Sequence, residues 1–147
     1  MSSSTPVLEH VVAKLGGAEV LGIEASSEAD LARLVQRGLP LAVLDQVEAA
    51  GFSKLEIDRL IIPHRTRSHR KNKRQPLSLD ESDRVVRLLR IQSLAEDVFA
   101  EPGNASRWLR EPLRMLDDKA PLELARSESG ARLLKQLLAT IDSGAAA

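Results

Sequence analysis

"SKLEIDRLIIPHRTRSHRKNKRQP" (residues 53–76) decides how this chain of 147 residues is read. Its first half is patterned for a helix. Ser53 and Glu56 form an S-x-x-E capping box, in which each side chain satisfies a free amide at the helix start. Ile57, Leu60 and Ile61 then fall on one helical face. The second half carries Arg65, Arg67, Arg70, Lys71, Lys73 and Arg74, with no acid among them and no apolar residue between His64 and Gln75. A capped helix, a brief break at Ile62-Pro63 and a basic segment over 64–73 have the order of a helix-turn-helix. "SKLEIDRLI" is then the positioning helix and 64–73 the recognition helix. Arg67, Arg70, Lys71 and Arg74 recur at i, i+3, i+4 and i+7, which puts them on one face able to enter a major groove. Arg offers bidentate bonds to guanine or phosphate, and Lys acts as a point charge. The recognition segment has no apolar stripe to dock on a core. Only Ile62 before it and Leu77 after it are placed to hold it.

Charge points the same way. The chain is formally neutral, with 21 basic and 21 acidic residues, but six of the basic ones and none of the acids lie between 64 and 74, leaving the remainder at −6. A basic island on an otherwise acidic protein makes a local, directed contact with something anionic, and nucleic acid is the expected partner.

Outward from this stretch the signals are helical throughout. Apolar residues make up 43 %, yet Phe52, Phe99 and Trp108 are the only aromatics, so the core must be built from Leu, Ile, Val and Ala. Thr5 with Pro6 predicts a first helix that Gly16-Gly17 stops; "AEVLGIEA" is ambiguous between helix and extended chain. Ser27 and Asp30 resemble a capping box for a helix burying Leu31, Leu34 and Val35 and ending at Gly38. Pro40 opens another helix, closed by Gly51. After Gln75-Pro76, read as a hinge, "LSLDESDRVVRLLRIQSLAEDVFAEPG" predicts a long helix. Ser78 and Glu81 cap it, Asp80 and Asp83 suit its positive dipole end, and Pro102-Gly103 ends it. Beyond it, Asn104 is the expected N-cap of a helix carrying Trp108-Leu109 and broken at Pro112. Pro121 restarts helix, and Leu134, Leu137, Leu138 and Ile141 share a face of the last one. The fold class is therefore all-α. The expected boundary sets residues 1–77 as a DNA-binding region with an N-terminal helical extension, and 78–147 as a second helical lobe that includes the linking helix.

Other functions find little support. There is no Cys, so disulfides and thiolate chemistry are excluded and a reduced compartment fits. His10, His64 and His69 are the only histidines; the last two are five apart and point to different helix faces, a poor metal pair. No Gly-rich phosphate loop or G-x-S-x-G is present. The expectation is a protein that is not an enzyme and uses no metal or cofactor. "MSSSTPVLEH" lacks the regions of a signal peptide and no apolar run reaches membrane-span length, so a cytoplasmic protein without membrane contact is expected.

"LSLDESDRVVRLLRI", "VFAEPGNASRWLREPL" and "APLELARSESGARLLKQLLATIDSG" together resemble the Xre/MbcA/ParS antitoxins. The ordered set is Glu81-Ser82-Asp83-Arg84, Trp108-Leu109, Pro112, Pro121, Glu123-Leu124, Gly130, and Ile141 to Gly144, and the resemblance spans roughly residues 28–144. Two departures are clear: the loop after the Trp-Leu pair often reads like N-P-A-L-G-G in that family, whereas here it is "EPLRMLDDKAP", without Gly, and Arg67 stands in the recognition segment where an apolar anchor is expected. The resemblance implies an N-terminal Xre-like helix-turn-helix lobe followed by a small helical C-terminal toxin-binding lobe. It further implies neutralisation of a RES-type toxin that destroys NAD, and repression of the chain's own operon by binding promoter DNA, with a homodimer as the expected form. The toxin-binding residues expected on this basis are Trp108, Leu109, Pro112, Met115, Leu116, Leu138, Asp142 and Ala147. Asp142 and the carboxylate of Ala147 would enter a cleft shaped for NAD. The alternative is a stand-alone transcriptional regulator whose C-terminal lobe dimerises or senses a ligand.

Overall fold

Ten α-helices account for most of residues 6–144, the part of the chain that the computed structural model describes. They are α1 (Pro6–Lys14), α2 (Gly17–Leu21), α3 (Glu28–Arg37), α4 (Val43–Ala49), α5 (Lys54–Leu60), α6 (His64–Lys73), α7 (Leu79–Phe99), α8 (Pro102–Arg110), α9 (Pro121–Leu124) and α10 (Glu128–Asp142). Among the described residues there is no strand. Leu113 and Lys119 form an isolated antiparallel bridge, and the all-α expectation holds.

Short polar caps set the helix starts. At α5, Ser53 Oγ accepts the Glu56 N–H while the Glu56 carboxylate accepts the Ser53 N–H, the complete reciprocal box. Ser78 and Glu81 repeat it at α7, at 3.1 and 2.8 Å. At α3 half of the expected box forms: Ser27 Oγ accepts the Asp30 N–H, but the Asp30 carboxylate takes the N–H of Ser26 instead. The ambiguous stretch after Gly17 divides, its first half lying in the short helix α2, which Gly22 ends, and the turn at 40–42 delays α4 to Val43. Pro102-Gly103 does not end α7. Ala100, in a left-handed conformation (φ 62°), ends it, and Pro102 takes the first turn of α8, where its missing N–H costs nothing. Asn104 therefore lies inside α8, and Glu101 is its N-cap.

Two compact units result, one up to residue 86 and one from residue 87. In the first, Leu31, Leu34, Val43, Leu44, Val47, Phe52, Ile57 and Leu60 are buried. The α3–α4 connection is fixed to the chain entering α7. Leu77 donates its N–H to the Leu39 carbonyl at 2.9 Å, and Leu39 donates its own to Ser82 Oγ at 2.9 Å. This close approach needs a glycine at position 38: φ is 91°, and a Cβ there would sit 2.2 Å from the Leu77 carbonyl oxygen. The Gln75-Pro76 hinge is thus stapled on its far side, and Leu77 is buried. The first turns of α7 belong to this unit, which runs to residue 86.

The second unit buries Leu88, Leu89, Ile91 and Ala95 of α7 together with Ala105, Leu109, Leu122, Ala131, Leu134 and Leu138. Ser127 caps α10 by accepting the Gly130 N–H at 3.0 Å. Gly130 meets the Leu124 carbonyl so closely that a Cβ would lie 1.8 Å from its oxygen.

Ser82 is fully buried, as is Leu39. Ser82→Ala leaves the Leu39 N–H without its partner and should cost about 1–3 kcal/mol in urea unfolding. Hydrogen exchange at the Leu39 amide should rise in parallel.

Candidate functional site

Helix α6 occupies His64–Lys73, the segment expected to read DNA, and none of its side chains is buried. With no apolar face, it is held by polar contacts at its start, middle and end. At the start, Pro63 has no side chain to cap with, and the Asp58 carboxylate of α5 accepts the His64 N–H instead. The turn before it is anchored by buried Ile61 and Ile62, and Arg84 of α7 donates to the Ile61 carbonyl at 3.0 Å.

In the middle, two of the six expected DNA-contacting cations are engaged within the unit. Arg70 makes a bidentate pair with Glu81, Nε and Nη2 each 3.0 Å from a carboxylate oxygen. The same Glu81 accepts the Ser78 N–H, so one carboxylate caps α7 and clamps α6. Arg67, only 24 % exposed, reaches Asp45 at 3.3 Å and Glu48 at 3.7 Å on α4. Burial pushes the Glu81 carboxyl up, but the Arg70 guanidinium and the Ser78 N–H outweigh it and hold it below its usual range. The missing apolar anchor at Arg67 is thus replaced by ion pairs, whose acids lie too far along the sequence for spacing to reveal.

At the end, Arg74 adopts a left-handed conformation (φ 54°). Its N–H caps the Lys71 carbonyl at 3.2 Å and the Gln75 N–H caps that of Arg70 at 2.9 Å, an arrangement usually given to glycine. A side chain in this region costs roughly 1–2 kcal/mol. Arg65, Lys71, Lys73 and Arg74 are exposed, and none of them pairs with an acid among the described residues.

The second unit sorts its expected contact residues just as clearly. Leu109, Leu116 and Leu138 are 0, 6 and 2 % exposed, so they hold the unit from inside. Trp108 is half-buried and packs against Phe99, ring centres 5.6 Å apart. Pro112 and Asp142 are exposed, and Met115 is 70 % exposed; Ala147 lies outside the described residues. Met115 sits on a 3-10 turn (Arg114–Leu116) in a loop closed by the Leu113–Lys119 bridge. The loop is turned by Asp117 and Asp118, both left-handed at φ 56° and 61°. A concavity of about 310 Å³ is lined by Met115, Lys119, Glu123, Leu124, Gly130 and Leu133 among others. Sequence reasoning missed Asp45, Glu48, Asp58 and Glu81 as partners of α6. Only the S-x-x-E spacing marked Glu81, and then as a cap.

A carboxyl whose folded pKa is depressed contributes stability that is full above its unfolded value, near 4.3, and is lost as pH falls through the folded one. Glu81→Gln should therefore be less stable than wild type by about 1–2 kcal/mol at neutral pH. The gap should close progressively below about pH 4. Denaturant titrations of both proteins across pH 3–8 check this.

Two family profiles match the chain, one falling mostly on each unit. Residues 30–90 match the antitoxin Xre-like helix-turn-helix domain, and residues 94–144 match the antitoxin Xre/MbcA/ParS C-terminal toxin-binding domain. Antitoxin Xre of Pseudomonas putida KT2440 is 32 % identical over 122 residues, covering 82 % of this chain and 76 % of that one. Antitoxin Xre of Photorhabdus laumondii is 30 % identical over 127 residues, 84 % and 86 % of the two chains. The Prs ADP-ribosylating antitoxin of Sphingobium sp. YBL2 is 29 % identical over 131 residues, 82 % of each. With a helix-turn-helix unit, a toxin-binding unit and relatives matched across most of both lengths, this chain belongs to the Xre/MbcA/ParS family of antitoxins.

Proposed function

We propose that this antitoxin neutralises a RES-type toxin that degrades NAD and represses its own operon by binding promoter DNA, as a cytoplasmic homodimer that catalyses no reaction itself. The observation that carries the proposal is the pairing, in one chain, of a toxin-binding unit with a helix-turn-helix whose outward cations are left unpaired. Among the described residues no group of His, Cys, Asp or Glu is placed to hold a metal, and no helix is long and apolar enough to cross a membrane. In this reading Arg65, Lys71, Lys73 and Arg74 contact DNA, and a dimer sets two half-sites about 34 Å apart or a multiple of it. Trp108, Pro112, Met115 and Asp142 form the exposed part of the toxin contact, with Leu109, Leu116 and Leu138 supporting them from within.

One relative's name specifies ADP-ribosylation of Prs, which supplies a second reading of the toxin: ADP-ribose moves from NAD onto a protein instead of onto water. Both readings consume NAD. Co-expression with the product of the adjacent gene, followed by co-purification, identifies the partner, and labelled NAD then separates free ADP-ribose from labelled protein. Failure to co-purify with any NAD-consuming protein overturns the proposal.

Met115→Glu places a charge on an exposed side chain, so it should leave the melting temperature within about 2 °C of wild type. It should nevertheless weaken toxin binding at least tenfold by calorimetry. Deleting residues 143–147 should leave the complex intact and restore NAD consumption; full inhibition by the truncated protein rules out a tail that occupies the cleft.

A further inference from the structure

At the C-terminal end of α6 the surface is concave, about 420 Å³, between Gly38, Pro40 and Leu41 of the α3–α4 connection and Arg70, Lys71 and the Arg74–Pro76 stretch at the helix end. Three features of this place go together. Its walls are rigid, because the 38–40 segment is bonded to Leu77 and Ser82 and Arg70 beneath it is fixed by Glu81. Its free charge is all positive: Lys71 and Arg74 have no acidic partner, whereas Arg70 has its own. Two of the four carbonyls that end α6 are covered, those of Arg70 and Lys71 accepting the N–H groups of Gln75 and Arg74. Arg74 keeps a long cationic side chain in a left-handed conformation that glycine adopts freely. Nothing in the packing explains that choice, since the Arg74 side chain is exposed and makes no bond within the unit.

We infer that this concavity seats one phosphodiester of the duplex DNA backbone, shared between Lys71 and Arg74, and so fixes how far α6 advances along the groove. The inference rests on the reading of α6 as the DNA-contacting helix. Backbone phosphates set register and orientation without reading sequence, and a rigid seat at the far end of a recognition helix serves that purpose. Arg67 and Arg70, each paired with an acid, hold the helix that carries the seat.

Random-sequence duplex DNA of 20–30 base pairs is the probe, titrated against the full chain over a range of chloride concentrations. Arg74→Gly removes the cation and relieves the left-handed backbone, so its melting temperature should equal or exceed that of wild type. Its duplex affinity should fall roughly eightfold near 0.1 M salt, with the log–log salt slope smaller by about 0.9. Arg74→Lys should keep the slope. Because one phosphate is shared, Lys71→Ala with Arg74→Gly should lose no more slope than Arg74→Gly alone. If wild type binds the duplex and Arg74→Gly has the same affinity and slope, the seat is wrong while the DNA-contacting helix stands. Slope losses that add in the double variant mean two separate phosphates and also overturn it. If wild type shows no salt-dependent binding to duplex DNA, both the seat and the reading beneath it fall. Inorganic phosphate at matched ionic strength should compete no better than chloride; selective competition that vanishes in Arg74→Gly would assign the seat to the free anion instead.

Discussion

A helix made of "HRTRSHRKNK" has no apolar surface, and a helix of ten residues without tertiary support is marginal in water. The first unit depends on how that problem is met, and the bidentate Arg70–Glu81 pair meets it. Both partners are largely removed from solvent, at 23 % and 9 % exposure, so the pair is screened much less than a surface bridge. Its net contribution to stability is modest, because desolvation opposes attraction, but losing one partner leaves a charge stranded. Glu81 lowers that desolvation cost by also accepting the Ser78 N–H. The neighbouring positions of α7 act in the same turn. Ser82 holds Leu39 and Arg84 holds the carbonyl of Ile61, so the start of α7 fixes the α3–α4 connection, the turn before α6, and α6 itself.

The consequence is a division of labour among six cations that look alike in sequence. Arg67 and Arg70 face acids of α4 and α7, and Arg65, Lys71, Lys73 and Arg74 face outward. A helix carrying this much like charge would repel itself if every cation were free. Pairing two of them inward lowers that repulsion and sets the orientation of the rest. Arg suits the inward task because its planar fork meets a carboxylate with two bonds and holds its charge at any accessible pH.

Much of this was legible in the residues. The helix-turn-helix order, the limits of α6 and the boxes at Ser53 and Ser78 follow from local chemistry, where the side chain and the amide it satisfies are three residues apart. Non-local facts were not legible. Glu81 is eleven residues from Arg70 and Asp45 is 22 from Arg67, and no periodicity connects them. The apparent hinge at Gln75-Pro76 shows the same limit. Proline breaks a helix locally, but the bonds from Leu77 and Ser82 to Leu39 cross 38 and 43 residues and join what composition separates. In the second unit the amphipathic stripes identified Leu134 and Leu138 as apolar positions, yet spacing alone does not tell a core leucine from one that faces a partner. Burial assigns Leu109, Leu116 and Leu138 to the core and leaves Met115 outside.

The loop after Trp108-Leu109 has no glycine between residues 111 and 120, yet it turns through two left-handed residues. Asp117 and Asp118 both adopt the left-handed conformation that glycine adopts freely. Asp tolerates this region better than most side chains because its short carboxylate bonds locally. Two successive left-handed residues make the tight reversal that lets Leu113 pair with Lys119 and sets Met115 on the outside of the turn. The conformational cost is of order 1 kcal/mol per residue, and the two aspartates set two negative charges beside an exposed thioether. The turn requires a pair of left-handed dihedral angles, and the residues that adopt them also set the charge of the surface the loop presents.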